Sequence, residues 1–272
     1  MRSLPYVRKK EILEMLKRSD YLDIGQLSEK FGVSYMTIHR DLKALESEGR
    51  VARVYGGAVA GVNEDETAAG GALADLTMEE RFRVCQEEKR AIAKTAASLV
   101  EDGEIIALDA STSALQLCPL LHDREITVVT NGLNTALQFA DSEKVQVLLT
   151  GGLLRKSSLS LSGIHNPDLL EHLNIDKCFF SASALSYKKG MMELNYEESE
   201  AKREILKRAD KLIVLADHTK LDRAAPYINC THERIYAIIT DRCRQLTPAQ
   251  TACLQDFEKG GTRVLYGAVE PA

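Results

Sequence analysis

The stretch SYMTIHRDL, residues 34–42, decides the fold of the amino-terminal part of this chain. Its leading serine is a preferred helix cap, and Ile38, Leu42 and Leu45 recur at helical spacing, which gives a helix over residues 35–48 one apolar face. The side chains of its first turns are left largely on the open face. A helix of this kind after a tight turn is typical of the second helix of a helix-turn-helix motif.

The sequence on either side completes the motif. A helical pattern over residues 7–17 and a second apolar stripe come before it, and Gly32 permits the tight turn that a helix-turn-helix needs. After it, residues 50–59 read as a short hairpin wing. We therefore predict a winged helix-turn-helix DNA-binding domain over residues 1–60, with the helix-turn-helix itself over residues 22–41.

The open face of the third helix suits the major groove, where the first residues of a recognition helix meet base edges. Arg40 suits guanine or a phosphate, and Arg53 in the wing is placed to meet the DNA backbone. The predicted DNA-binding residues are Ser34, Tyr35, Met36, Thr37, His39, Arg40, Lys43 and Arg53. The alternative is a small helical bundle that binds a protein, because the apolar face alone indicates only a core.

The chain has 272 residues and a net charge of −5, and this charge is divided unevenly. Residues 1–60 hold 11 Lys/Arg against 8 Asp/Glu, a net +3, which leaves −8 on the remainder. A basic module on an acidic body suits a polyanionic partner for the first part only. The length favours two domains.

Composition also argues against several classes of protein. There is no run of about 18 apolar residues, as a membrane span would need, and the charged start does not resemble a secretory signal. The six cysteines include no CxxC pair, and the six histidines lack the spacing of a metal cluster. We therefore expect a cytoplasmic protein with reduced thiols, no metal, no cofactor and no membrane partner.

The region after the first domain begins with a small, acidic stretch, so residues 61–77 are predicted to be a linker. One long helix is predicted over residues 78–100, within a domain that extends to residue 272. Apolar runs then alternate with helical patterns, and their near-continuous apolar character predicts a mostly parallel sheet that helices cover on both faces. The predicted strands are 105–108, 126–129, 145–149, 178–180, 212–216, 235–239 and 263–266, and the helices are 112–121, 132–140, 197–209 and 247–258.

The first domain resembles the DeoR/GlpR-type repressors. The resemblance lies in Arg8, Ile12, residues 34–42 and the wing residues 55–58, although His39 stands where the family pattern Ser-x-x-Thr-Ile-Arg-Arg-Asp-Leu has arginine. It continues over nearly all of the remaining chain, where the family's sensor domain is similar to the ribose-5-phosphate isomerase-like fold. The resemblance implies a domain that binds a phosphorylated metabolite at the ends of its strands.

Four loops that follow strands would build this pocket, as open α/β sheets require. Two of them are the helix-opening stretch 109–113 and the stretch 217–220, which resembles the family's Asp-x-x-Lys signature. With a lysine of the family-like helix 195–202, the predicted effector-binding residues are Asp109, Ser111, Thr112, Ser113, Asn131, Gly151, Gly152, Arg155, Lys202, Asp217 and Lys220. Taken singly, each such residue is as often a helix cap or part of a plain turn as it is a ligand-binding residue.

The sequence of this chain departs from the family pattern at three places in the second domain. Ser111 stands where glycine is expected, residues 181–184 read Ser-Ala-Ser-Ala instead of Gly-Ala-Asp-Gly, and residues 191–193 read Met-Met-Glu instead of Leu-Thr-Thr. The last two changes fall between the predicted pocket loops.

These features predict a non-enzymatic, sequence-specific repressor of carbohydrate metabolism genes. Its expected partners are a double-stranded DNA operator, a phosphorylated sugar effector and further copies of itself in a dimer or tetramer. One alternative is a sugar-phosphate isomerase-like enzyme with Asp109, Glu197 or Asp217 as general base. Another is a scaffold that binds DNA without any effector.

Overall fold

A computed structural model describes residues 5–16, 22–47, 51–54, 57–60, 78–163, 170–242 and 245–267. The chain divides into two compact units, Met1–Ala69 and Gly70–Ala272. The predicted linker over residues 61–77 lies outside the described residues. None of the described helices has the length and hydropathy that crossing a bilayer needs.

The first unit is a winged helix-turn-helix, as predicted. Its helices are α1 Pro5–Leu16, α2 Ile24–Phe31 and α3 Tyr35–Ser47. Its strands are β1 Leu22–Asp23, β2 Val51–Val54 and β3 Gly57–Ala60, in the antiparallel order β1-β3-β2. The wing hairpin pairs Val51 with Ala60 and Val54 with Gly57.

The core of the first unit is formed by the residues that the helical spacing singled out. Ile38, Leu42 and Leu45 are fully buried on one face of α3, and Ile12 from α1 and Leu27 from α2 pack against them. Gly32 adopts a φ of 59°, which is the left-handed region that glycine tolerates without strain. Burial of these apolar side chains fixes the three helices relative to one another.

The second unit is built on a parallel sheet of seven strands. Its strands, in chain order, are β4 Ile105–Leu108, β5 Thr127–Thr130, β6 Gln146–Leu149, β7 Leu153–Arg155, β8 Ser160–Ser162, β9 Ile175–Ser181, β10 Ala184–Ser186, β11 Gly190–Glu193, β12 Ala209–Leu215, β13 Tyr227–Cys230, β14 Ile235–Asp241 and β15 Arg263–Gly267. The large sheet has the order β15-β14-β12-β9-β4-β5-β6, and every neighbouring pair in it is parallel. This confirms the predicted fold class.

Helices cover this sheet on both faces. They are α4 Met78–Arg83, α5 Gln86–Ala97, α6 Thr112–Leu121, α7 Leu133–Leu137, α8 Tyr196–Leu206 and α9 Pro248–Lys259. Successive strand residues separate into two cores: Phe179 packs with residues of α5 and α6, whereas Phe180 packs with residues of α8 and α9. The near-continuous apolar strands follow from this arrangement, because both of their faces are buried.

The prediction of one helix over residues 78–100 was wrong. The helix is interrupted at Val84 and Cys85, and Cys85 adopts a φ of 52°, so α4 and α5 are separate elements. The side-chain ammonium of Lys89 accounts for the break, because it donates to the backbone carbonyls of Arg81 (2.6 Å) and Val84 (2.7 Å). These bonds hold the turn closed.

Two small antiparallel elements were not predicted. Strands β7 and β8 form a hairpin, and β10, β11 and β13 form a three-stranded sheet in that order. Each of these strands has only three or four residues, which is too short for a sequence alternation to be recognised. Strands β8, β10 and β11 lie between the predicted pocket loops along the chain, whereas β13 follows the last of them.

Candidate DNA-reading helix and effector pocket

The amino-terminal turn of α3 is held in a form that suits DNA reading. The Ser34 hydroxyl caps the helix by accepting a bond from the Thr37 amide (3.3 Å), and the two hydroxyls are 3.0 Å apart. Met36 is 71% exposed, and Arg40 one turn later is exposed as well. The structure therefore leaves this face of α3 open to a ligand. The side chains of Tyr35, His39, Lys43 and Arg53 lie outside the described part of the chain.

A buried ion pair holds α3 against α1. The guanidinium of Arg8 donates to the carboxylate of Asp41, and their side chains are only 4% and 7% exposed. Asp41 therefore points inward from the recognition helix while its neighbour Arg40 points outward. Of these two adjacent charged residues, Asp41 contributes to the stability of the fold, whereas Arg40 lies on the open face of α3.

A pocket of about 250 Å³ lies at the carboxyl edge of the large sheet in the second unit. The residues that follow β4, β9 and β12 contribute to it, as expected for ligand sites of open α/β sheets. Its charged lining consists of Arg81, Lys89, Arg155, Glu198, Asp217 and Lys220, which is four cations against two carboxylates. This excess of positive charge favours an anionic ligand.

Hydroxyl groups form the second component of the lining. They belong to Thr112, Ser113, Ser157, Ser158, Ser181 and Ser183. Thr112 and Ser113 form the first turn of α6, whose cap is Ser111, because its hydroxyl accepts from the Ala114 amide at 3.1 Å. The amides of a first helical turn have no acceptor within their own helix, and the helix dipole favours an anion there.

Arg155 reaches the pocket from the β7–β8 hairpin and is already engaged. Its guanidinium Nη1 lies 2.8 Å from Oε1 of Glu198, which is on α8. Both side chains are partly exposed and both line the pocket. An anionic ligand that uses Arg155 must therefore compete with Glu198.

Asp217 and Lys220 follow β12 and form one short turn. The Asp217 carboxylate accepts from the Thr219 amide at 3.0 Å and so caps the turn His218–Lys220. Burial works to raise the pKa of Asp217, but Lys220 and the bond from Thr219 outweigh it, and the pKa is lowered. Asp217 therefore stays ionised at neutral pH, and its carboxylate can accept hydrogen bonds.

Lys89 lines the pocket from α5, although it is not among the predicted effector-binding residues. Burial lowers its pKa to about 8, with Lys220 adding to this effect and Asp217 opposing it. The strand-end rule could not identify this residue, because it lies on a helix that precedes the first strand of the sheet. The available signal was the resemblance to the family's sensor domain, which extends over this part of the chain.

Lys202 lies beside the pocket in a buried triad with Asp109 and Glu193. Its ammonium is 2.8 Å from Oδ2 of Asp109, is bonded to Glu193, and donates to the Ser181 carbonyl at 2.6 Å. Asp109 also accepts from the Ser181 amide at 2.9 Å. Burial opposes the charge of Lys202, but the two carboxylates prevail and raise its pKa. The triad joins β4, β9, β11 and α8.

Glu88, His218 and Asp241 form a second buried cluster, in which one ligand atom from each residue lies within 4.8 Å of the others. Such a trio could offer ligands to a divalent metal ion. However, the Asp241 carboxylate already accepts from the amide of His218 at 2.7 Å and from its ring Nδ1 at 3.1 Å. The bond to Asp241 raises the pKa of His218, so a proton can supply the positive charge between these carboxylates.

The structure brings five of the eleven predicted effector-binding residues into the pocket lining, namely Thr112, Ser113, Arg155, Asp217 and Lys220. Instead of lining the pocket, the other six residues contribute to the structure around it. Asp109 and Lys202 belong to the buried triad, and Ser111 caps α6. Asn131 donates to the Leu161 carbonyl at 3.3 Å.

Gly151 and Gly152 serve the entry to the β7–β8 hairpin. Both have positive φ angles, 73° and 118°. A Cβ at Gly152 would lie 2.3 Å from the Ser162 carbonyl oxygen, which is far closer than atoms can approach. The glycines therefore permit the close backbone contact that places Arg155.

An open recognition helix in one unit and a cation-rich pocket in the other define a DNA-binding regulator with a ligand-sensing domain. The chain matches the DeoR-like helix-turn-helix domain over residues 8–63 and the DeoR C terminal sensor domain over residues 84–242. It belongs to the DeoR family of transcriptional regulators, which confirms the predicted family.

Curated relatives match over nearly their whole length. The transcriptional regulator GolR of Listeria innocua is 37% identical over 238 residues, which are 87% of this chain and 91% of the relative. The regulator GlpR of Haloferax volcanii is 32% identical, over 88% of this chain and 90% of the relative. The transcriptional repressor GlcR of Bacillus subtilis is 31% identical, over 89% of each.

Among solved structures, a ribose 5-phosphate isomerase A from Methanocaldococcus jannaschii is similar to part of this chain. It has 16% sequence identity and a TM-score of 0.38, over 50% of this chain and 55% of the isomerase. A D-ribose-5-phosphate isomerase in complex with phospho-erythronic acid has 19% identity and a TM-score of 0.39, over 50% and 54%.

Proposed function

We propose that this regulator is a repressor that binds a double-stranded DNA operator and releases it when a phosphorylated sugar occupies the pocket. The observation that carries the proposal is the lining of that pocket, where four cations and six hydroxyls surround about 250 Å³ at the sheet edge. Cations and first-turn amides suit a phosphate, while hydroxyls and Asp217 suit a polyol. The relative GlcR is itself named as a repressor.

A single recognition helix buries too little DNA surface for tight specific binding, so the repressor acts as a dimer or tetramer on repeated half-sites. The effector releases the DNA only to the extent that it binds the DNA-free arrangement of the assembly more tightly than the DNA-bound arrangement. Full reversal of a 99:1 preference needs a ratio of about 10⁴ between the two affinities. Operator binding and effector binding must therefore oppose each other in one titration.

Arg40→Ala is expected to weaken operator binding about tenfold or more, because an exposed arginine on the first turns of α3 is positioned for a base or phosphate. Fluorescence anisotropy with a labelled fragment of the protein's own promoter measures the change. Lys10→Ala is the matched control, since it removes one exposed positive charge from α1. If Arg40→Ala and Lys10→Ala bind the operator equally well, the proposal that the exposed face of α3 contacts DNA is contradicted.

Lys220→Ala is expected to keep operator affinity but to need about 10- to 100-fold more effector for release, which is the usual effect of losing one charged hydrogen bond. The effector is first selected by a thermal-shift screen of pentose and hexose phosphates. Lys188→Ala, an exposed lysine in the same unit, is the control. If Lys220→Ala releases DNA at wild-type effector concentrations, the pocket is not the effector site.

We further propose that the chain has no catalytic activity and acts in the cytoplasm together with its DNA target. Of the three candidate bases, Asp109 is ion-paired with Lys202, Asp217 caps a turn, and Glu197 is exposed on α8. Asp109 and Glu197 are not among the described residues that line the pocket, and the Asp217 carboxylate is engaged by the amide and hydroxyl of Thr219. Turnover of any phosphorylated sugar from the same screen would favour the isomerase-like alternative instead.

A further inference from the structure

Lys89 is the residue that connects the pocket to the turn between α4 and α5. It is only 5% exposed, yet it belongs to the pocket lining. Two of the three donors of its ammonium are used by the carbonyls of Arg81 and Val84, which close that turn. Among the described residues the third donor has no hydrogen-bond partner, so it is available to a ligand in the pocket.

We propose that Lys89 binds the anionic group of the effector and thereby ties the α4–α5 turn to occupancy of the pocket. This inference rests on the proposed function, because it assumes that the pocket takes a phosphorylated ligand. Among the described residues, this buried ammonium is hydrogen-bonded to neutral carbonyls, while Asp217 acts on it without a direct bond, so an anion beside it would add a close counter-charge. Arg81 and Lys220 line the same pocket and add to the attraction.

Binding by Lys89 makes the affinity for an anion depend on pH in a definite direction. The pKa of Lys89 is lowered to about 8 by burial, and a bound anion favours its charged form. Above pH 8 the free protein must take up a proton when the anion binds, so affinity falls as pH rises. The expected fall is about tenfold for each pH unit above 8 until the bound-state pKa is reached.

Four other titratable groups act on Lys89. They are Asp217, Lys220, Cys85 and Arg81. Burial raises the pKa of Cys85 to about 12, and Asp217 has a lowered pKa, so both keep their charge state near pH 8. His218 titrates from a raised pKa beside Asp241, but it is present in every variant and cancels in their comparison.

The turn held by Lys89 lies close in sequence to the predicted linker. Helix α4 begins at Met78, directly after the linker predicted over residues 61–77. Cys85 in this turn has a positive φ of 52°, which a non-glycine residue adopts only where other contacts hold it. An anion that fixes Lys89 is therefore expected to stabilise the turn against local opening.

The test uses sulfate as the probe, because its charge stays constant over this pH range. Sulfate-dependent thermal stabilisation of the full chain is measured from about pH 7 to pH 9.5 for the wild type, Lys89→Met, Lys89→Arg and the exposed control Arg90→Met. Lys89→Met is expected to bind about 10- to 100-fold more weakly and without the fall above pH 8. Lys89→Arg is expected to keep binding but to lose the fall, since a guanidinium stays charged.

Hydrogen exchange of residues 78–89 completes the experiment. Sulfate is expected to slow exchange there in the wild type and in Arg90→Met, but not in Lys89→Met. If the wild type gains no stability from sulfate or inorganic phosphate, the proposed function itself fails. If the wild type responds and Lys89→Met responds with the same affinity and pH profile, the pocket stands but the role of Lys89 is overturned.

Discussion

Asp41→Ala is expected to remove most of the stability of the DNA-binding unit. The substitution leaves the guanidinium of Arg8 buried without the carboxylate that it contacts, and breaking a buried pair in this way costs about 3–5 kcal/mol. A unit of about 60 residues has a total stability of only about 3–8 kcal/mol. Hydrogen exchange of the α2 and α3 amides in the full chain measures the loss.

Two matched variants give this prediction its control. Arg40→Ala changes the adjacent, exposed residue, so it is expected to weaken DNA binding while the exchange rates stay at wild-type values. Arg8→Met/Asp41→Leu replaces both charges with apolar groups and is expected to recover much of the stability. Wild-type protection in Asp41→Ala would show that the pair contributes little to the fold.

Lys202→Met is expected to destabilise the sensor unit by about 3–5 kcal/mol, because it leaves the carboxylates of Asp109 and Glu193 in one buried site without a cation. The side chains of all three residues are less than 10% exposed, so solvent cannot screen the repulsion. The midpoint of denaturant unfolding of this unit measures the effect. The loss should exceed that of any substitution in the pocket lining.

Neutralising the carboxylates separates this charge effect from a loss of packing. Lys202→Met/Asp109→Asn/Glu193→Gln is expected to regain part of the lost stability, because no uncompensated charge remains in the site. The exposed variant Lys207→Met, on the carboxyl side of the same helix, should stay near the wild type. A triple variant as unstable as Lys202→Met would assign the loss to packing around the lysine stem.

The sequence specified the DNA-binding fold well because its signals are local. Ile38, Leu42 and Leu45 fall on one face within three turns, and Gly32 marks the turn before them. The parallel sheet was predictable for a related reason, since each buried strand is a short apolar run. The helix break at Cys85 was not predictable from the sequence, because it depends on the side chain of Lys89, which folds back onto the preceding turn.

Only part of the pocket could be predicted, because the rest of it depends on contacts between residues that are distant in the sequence. Thr112 and Asp217 directly follow strands, so a general rule for α/β sheets finds them. The partners of Lys202 come from residues 84 positions apart in the chain, and one of them, Glu193, lies where the family pattern has threonine. Geometry alone reveals that this lysine is held by carboxylates instead of facing the pocket.

The departures from the family pattern become intelligible together. The pattern has an aspartate at position 183, where this chain has a serine, and it has no carboxylate at position 193. Here the Ser183 hydroxyl donates to the Glu193 carboxylate, which in turn binds Lys202. In this chain the second carboxylate that binds Lys202, beside that of Asp109, is therefore supplied by β11.

The bond between Arg155 and Glu198 has a consequence for how a cell would use this regulator. Under the proposed function, a phosphate that binds Arg155 gains only the difference between this contact and the one with Glu198 that it displaces. The effector concentration needed for release is then raised by the Arg155–Glu198 bond, which sets a threshold. Selection can adjust that threshold at a single glutamate and leave the anion-binding groups themselves untouched.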